Sequence, residues 1–170
     1  MSRLILVLLF VTATAGAVVA LNNPERAARV SDGVSELLRH RTSVKTRAVE
    51  VQRGRGGEFA LRARINGVNA PMVIDTGATS VVLTYETAKA AGLPLELLNY
   101  DIDVETAGGR TKAARLTLNQ LAVGKLVERS VPALVVPHGT MKTNLLGMSF
   151  LDRLEHWEVR ADRLMLHGYP

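Results

Sequence analysis

Residues 71–83 read Pro-Met-Val-Ile-Asp-Thr-Gly-Ala-Thr-Ser-Val-Val-Leu and place a single acidic residue between two apolar runs. The runs at 71–74 and 80–83 are short and contain several β-branched residues, which is typical of buried strands. Gly77 follows Asp75 by two positions, and glycine permits a tight turn there. We therefore predict a strand–turn–strand unit that holds the Asp75 carboxylate in apolar surroundings, shielded from water.

The sequence on both sides of this unit alternates with a period of two, and turn residues interrupt it about every ten residues. Asn66-Gly67 is a strong hairpin signal. Two short helices are expected, at 84–91 and near 149–154. The predicted strands are 44–53, 59–65, 71–74, 80–83, 102–106, 111–118, 126–136, 156–159 and 164–167. This pattern predicts an all-β fold, a small, mainly antiparallel closed barrel or sandwich with one or two short helices.

A second motif, Asn-Leu-Leu-Gly-Met-Ser-Phe-Leu at residues 144–151, lies downstream of Asp-Thr-Gly-Ala-Thr at 75–79. A glycine-rich turn at 107–110 separates two predicted strands. Together with the apolar amino terminus, these motifs resemble the retropepsin-like aspartic peptidases, and in particular their bacterial, single-span, membrane-anchored group. The resemblance extends from about residue 59 to residue 166, and residues 22–58 have no counterpart in it.

The resemblance implies a role for each motif. Asp75 would be the catalytic residue. The rest of its loop would be Thr76, Gly77, Ala78 and Thr79. The residues that pack beside this loop would be Leu145, Leu146 and Gly147. A flap that closes over substrate would be formed by Ala107, Gly108, Gly109 and Arg110.

Aspartic peptidases use two carboxylates that share one proton, whereas this chain has a single Asp-Thr-Gly. No other aspartate has the same setting, so the second carboxylate would come from a second copy of the chain. The resemblance thus implies a homodimer that cuts polypeptides. Ala78 supplies no hydroxyl to ionised Asp75, and we expect a rate optimum at mildly acidic rather than strongly acidic pH.

Two other functions remain open from the sequence. In the first, Asp75 is structural, and the same fold binds extended peptides at the membrane without cleaving them. In the second, the basic amino-terminal segment is the working part and binds anionic lipid or nucleic acid. The complete Asp-Thr-Gly motif favours the peptidase.

The amino terminus contains eighteen uncharged residues, 4–21, which is just long enough to span a bilayer. Small residues near its end also suit a signal peptidase, so residues 1–21 are either a signal peptide or a membrane anchor. Residues 22–43 are expected to form a basic spacer with a helix at 23–40, followed by the peptidase domain at 44–170. We expect that domain on the periplasmic side, tethered by 4–21 or secreted after cleavage.

The composition excludes several classes of protein. With 170 residues and 47% hydrophobic residues, the chain has room for one folded domain. It lacks cysteine, which excludes disulfides and thiolate chemistry, and its four histidines lack metal-binding spacings. We therefore predict no metal and no cofactor. The net charge of +5 comes from residues 24–64, while residues 65–170 are nearly neutral, and we expect no nucleic acid partner.

Overall fold

Ten strands form two sheets in the computed structural model, which describes residues 47–106 and 109–170. The strands are β1 (Arg47–Gln52), β2 (Ala60–Ile65), β3 (Val68–Ile74), β4 (Val81–Leu83), β5 (Tyr100–Thr106), β6 (Gly109–Val123), β7 (Leu126–Val135), β8 (Asn144–Leu146), β9 (His156–Arg160) and β10 (Arg163–Gly168). The helices are α1 (Tyr85–Ala90) and α2 (Met148–Leu151), with a 3₁₀ turn at Leu95–Leu97.

The larger sheet closes on itself to form a barrel. Its strand order is β2-β3-β8-β4-β7-β6-β5, and β2 also pairs with β6 through Arg64↔Ala122 and Ile65↔Leu121. Because the sheet is closed, none of the six strands in the ring is an edge strand, and β5 lies outside the ring. Most pairings are antiparallel, but β3–β8 and β4–β7 are parallel. The prediction of a small, mainly antiparallel all-β barrel with two short helices is confirmed.

The barrel interior is filled by side chains that point inward from the strands and from α2. The largest fully buried members include Ile65, Met72, Leu83, Leu121, Leu146 and Phe150. Each such side chain contributes roughly 1.5–3 kcal/mol through burial. The core therefore fixes the strands that carry the loop at residues 75–80.

The smaller sheet, which we call the terminal sheet, has the strand order β1-β10-β9. Val51, Leu164 and Leu166 on one of its faces are buried in the same apolar cluster as the barrel core. The other face carries polar and charged residues. Alternation along the strands thus gives the terminal sheet one packed face and one face toward solvent.

Several boundaries differ from the sequence prediction. Strand β8 was not predicted, because three residues are too few to show a period. The β2–β3 and β6–β7 ladders extend further than their apolar runs, since backbone pairing continues through polar positions. Helix α1 matches its prediction and is capped by Thr84, whose hydroxyl accepts a hydrogen bond from the Thr87 N–H at 3.2 Å.

The amino-terminal predictions fall outside the described residues. This applies to the apolar segment 4–21, the spacer 22–43 with its helix at 23–40, and the start of the domain at 44. Among the residues that the structure describes, no helix is both long and apolar enough to cross a membrane.

Candidate active site

The Asp75 loop bridges two strands that are separated by a third. Strand β8 lies between β3 and β4, with Leu145 paired to Val73 on one side and to Val82 on the other. The chain between Ile74 and Val81 must therefore pass over the end of β8. The Asp75 N–H donates to the Leu146 carbonyl at 3.1 Å, which anchors the first residue of the loop to this strand.

Gly147 leaves β8 directly beneath this loop, and its lack of a side chain is what permits the approach. A β-carbon at this position would lie 2.6 Å from the Ala78 carbonyl oxygen and would also collide with that of Ser80. The two following residues hold the loop from below: the Met148 N–H donates to Ala78 O at 2.8 Å and the Ser149 N–H to Thr79 O at 3.1 Å. The second motif therefore packs against the first.

The Asp75 carboxylate lies at the open side of the loop. Its Oδ1 accepts a hydrogen bond from the Gly77 N–H at 2.9 Å. Asp75 is half-buried, whereas Thr76 and Gly77 are exposed. The expectation of a shielded carboxylate is therefore met only in part, because the apolar strands cover one side of the loop and leave the other side open.

A cleft of about 610 Å³ opens beside Asp75. Its wall is largely apolar, and the residues that form this part are Val82, Val104, Leu134, Val136, Met141 and Leu145. Asp103 and Glu105 of β5 also border the cleft, on the exposed face of the strand. The Asp103 Oδ1 is 2.8 Å from Lys112 Nζ, an exposed ion pair. A largely apolar cleft of this size can accommodate a polypeptide side chain.

The β5–β6 hairpin borders this cleft through Asp103–Thr106. Its last described pair is Thr106↔Gly109, where the Thr106 hydroxyl donates to the Gly109 carbonyl at 2.8 Å. Gly109 has a φ of 109°, a conformation that favours glycine. Arg110 follows in β6, opposite Glu105. Of the four residues expected in the flap, Ala107 and Gly108 lie outside the described residues.

The sequence analysis missed two polar side chains that connect the segments flanking the loop to neighbouring elements. Asn144 is 2% exposed; its Nδ2 donates to Pro71 O at 2.8 Å, and its Oδ1 accepts from the Thr84 N–H at 2.9 Å. Ser149 Oγ accepts from the Val81 N–H at 2.9 Å and donates to Pro132 O at 2.7 Å. The available signal was an asparagine before the pair Leu145-Leu146, but its partners are 60 and 73 positions away along the chain.

The chain is similar in sequence to a known protein family and to two curated proteins. The family model described as aspartyl protease matches residues 61–150. The chain is 39% identical over 118 residues to an uncharacterised protein in the cobV 5′ region of Sinorhizobium sp, with 69% of this chain and 51% of that protein covered. It is 31% identical over 131 residues to the uncharacterised protein RP867 of Rickettsia prowazekii (strain Madrid E), covering 75% and 54%. The chain thus spans about half the length of these curated relatives.

A solved structure shows the same architecture. The crystal structure of a retropepsin-like aspartic protease from Rickettsia conorii matches with a TM-score of 0.64 and 34% identity, covering 71% of this chain and 90% of that one. The match to the family covers more than half of the chain and includes the Asp75 loop and the residues that support it. The chain therefore belongs to the retropepsin-like aspartic protease family.

Proposed function

We propose that the protein is an aspartic endopeptidase, active as a homodimer in which each subunit contributes one Asp75 carboxylate. The observation that carries the proposal is the exposed side of the Asp75 loop, which is braced from within by β8 and opens on an apolar cleft. A peptidase of this kind needs two carboxylates at one water molecule. A two-fold axis beside the loop would bring the second one to the first.

The residues would then act as follows. One Asp75 accepts a proton from water, and the oxygen of that water attacks the scissile carbonyl carbon. The other Asp75 donates its proton to the carbonyl oxygen, which gives a diol. The C–N bond then breaks as the first Asp75 passes its proton to the departing nitrogen, and a diol hydroxyl returns a proton to the other Asp75. The Gly77 N–H, at 2.9 Å from Asp75 Oδ1, fixes the carboxylate in position. The hairpin around 107–110 serves as a flap that excludes water.

The apolar segment 4–21 supports a location at the membrane. We propose that it tethers the chain with the catalytic domain on the periplasmic side, or directs secretion to the periplasm if it is removed. Its eighteen uncharged residues and short basic start are the observations that favour export.

The decisive experiment compares Asp75→Asn with Asp152→Asn in the full chain, purified in detergent. Asp152 is exposed, follows α2 and does not line the cleft, so it is a matched control. Cleavage of an unfolded protein is measured between about pH 4 and pH 7. We expect Asp75→Asn to reduce the cleavage rate by at least about 10³-fold with an unchanged circular dichroism spectrum. Asp152→Asn should cleave at the wild-type rate. Equal cleavage by wild type and Asp75→Asn would exclude a peptidase that uses Asp75.

Co-expression of wild type and Asp75→Asn tests whether the active form is a homodimer. If each site needs two Asp75 residues, equal amounts of wild type and Asp75→Asn leave about one quarter of the wild-type activity per chain, because only homodimers of wild type are active. Independent monomers would leave about half. If half of the wild-type activity per chain remains, and Asp103→Asn is inactive, the second carboxylate comes from the same chain.

The peptide-binding module remains the alternative, and the apolar cleft is the observation that favours it. A module of this kind would bind an unfolded polypeptide without cleaving it in wild type and in Asp75→Asn alike. Binding without cleavage in both proteins would establish this second function.

A further inference from the structure

The polar face of the terminal sheet brings together two histidines and a glutamate. His156 of β9 and His167 of β10 are direct cross-strand partners, and Glu158 lies two residues beyond His156 on the same strand. Because side chains alternate along a strand, all three project from one face. This is the face opposite to Leu164 and Leu166, which pack on the core.

The three side chains are close enough to share one ligand. The imidazole rings of His156 and His167 are stacked, with their centroids 4.2 Å apart and an angle of 12° between their planes. One potential ligand atom from each of the three residues lies within 4.8 Å of the other two. Ligands of a tetrahedral zinc ion are separated by roughly 3–3.5 Å, given metal–ligand distances of about 2.0–2.2 Å. A metal ion binds in the plane of an imidazole ring, so coordination requires the exposed His156 side chain to turn out of the stack by rotation about its side-chain torsions.

One nitrogen of this cluster is buried without a partner. Within the described residues, Nε2 of His167 is shielded from solvent and makes no hydrogen bond. Buried polar atoms nearly always have a partner, so an unsatisfied imidazole nitrogen indicates a group that completes it. A neutral imidazole nitrogen is a good metal ligand, and metal coordination would satisfy it.

Glu158 also forms an ion pair, which leaves one of its oxygens available. The Arg160 Nη2 is 2.6 Å from Glu158 Oε1. A carboxylate has two oxygens, so Oε2 can coordinate a metal while Arg160 continues to orient Oε1. Outer partners of this kind hold metal-binding carboxylates in place in many sites.

We propose that His156, Glu158 and His167 form a binding site for Zn²⁺ or a chemically similar divalent transition metal. Two imidazole nitrogens and one carboxylate oxygen are a common ligand set for zinc, with water in the fourth position. The metal would link β9 to β10 and so stabilise the last hairpin of the chain. The site is built from residues outside the Asp75 cleft, and the proposal does not depend on peptidase activity.

Zinc binding to the full chain tests the proposal. Isothermal titration with ZnCl₂ is carried out on wild type, His156→Ala and Glu158→Gln, with His138→Ala as the matched control. His138 is also exposed and lies 3.3 Å from Glu86, so it offers a His–Glu pair without the third ligand. We expect one zinc ion per chain in wild type and His138→Ala, and an affinity at least about tenfold weaker in the other two variants.

Thermal unfolding gives a second measurement that needs no activity. Zinc should raise the melting temperature of wild type and of His138→Ala, because a ligand that binds only the folded state stabilises it, and should have little effect on His156→Ala. Circular dichroism without metal checks that the variants fold. The proposal is overturned if wild type binds no zinc, if His156→Ala binds it as tightly as wild type, or if His138→Ala weakens binding to the same extent.

Discussion

Replacing Gly147 by alanine adds a methyl group where the Asp75 loop passes over the end of β8. The new carbon would lie 2.6 Å from Ala78 O, and closer still to Ser80 O. Carbon–oxygen contacts in proteins are normally about 3.3 Å or longer. Both obstacles are backbone atoms, so the strand or the loop has to move by about an ångström, and no side-chain rotation can relieve the clash.

The effect of Gly147→Ala on the free energy of unfolding follows from the contacts around residue 147. Overpacking a tight site costs roughly 1–3 kcal/mol. The shift also strains the hydrogen bonds from Met148 and Ser149 to the loop, each worth about 0.5–1.5 kcal/mol. We expect Gly147→Ala to lower the free energy of unfolding by about 2–6 kcal/mol and the melting temperature by at least about 6 °C. The proposed peptidase activity should fall even at a temperature at which Gly147→Ala is fully folded, because the loop positions Asp75.

Gly56→Ala is the matched control for this prediction. Gly56 is exposed, and a β-carbon there would meet only the carboxylate end of Glu58, which can swing away. Its expected effect on the free energy of unfolding is within about 0.5 kcal/mol. Thermal unfolding followed by circular dichroism, with both variants in the full chain, makes the comparison. If Gly147→Ala melts at the same temperature as Gly56→Ala, close packing of β8 under the loop is not what requires glycine.

Two further predictions concern the surroundings of the loop. Asn144→Ala leaves the Pro71 carbonyl and the Thr84 N–H without their buried partner, and should cost about 2–5 kcal/mol by chemical denaturation; a loss below 1 kcal/mol would mean that water replaces the amide. Wild type should cleave fastest at mildly acidic pH, and Ala78→Ser should move the optimum to lower pH by offering a hydroxyl to ionised Asp75. A wild-type maximum below about pH 3, or an unmoved optimum in the variant, would contradict the role given to Ala78.

The features that could be predicted from the sequence are those set by neighbouring residues. The turn after Ile74 and the helix expected at 84–91 are features of this kind, because the hydrogen bonds that hold them join residues within a few positions. Alternation also predicted most strands of the barrel, because each buries every second side chain. Strand β8 was missed because its three residues carry no period, and its position between β3 and β4 is a long-range pairing.

The residue pattern alone indicates the all-β class, the position of Asp75 in a turn between apolar strands, and the family motif at 144–151. Three features emerge only once the chain is folded: Gly147 lies beneath the loop, β5 borders the same cleft as Asp75, and two histidines eleven positions apart stack on one sheet face. The physical reason is that strand order and register depend on burial in a shared core. Spacing along the chain does not reveal which distant residues that core brings together.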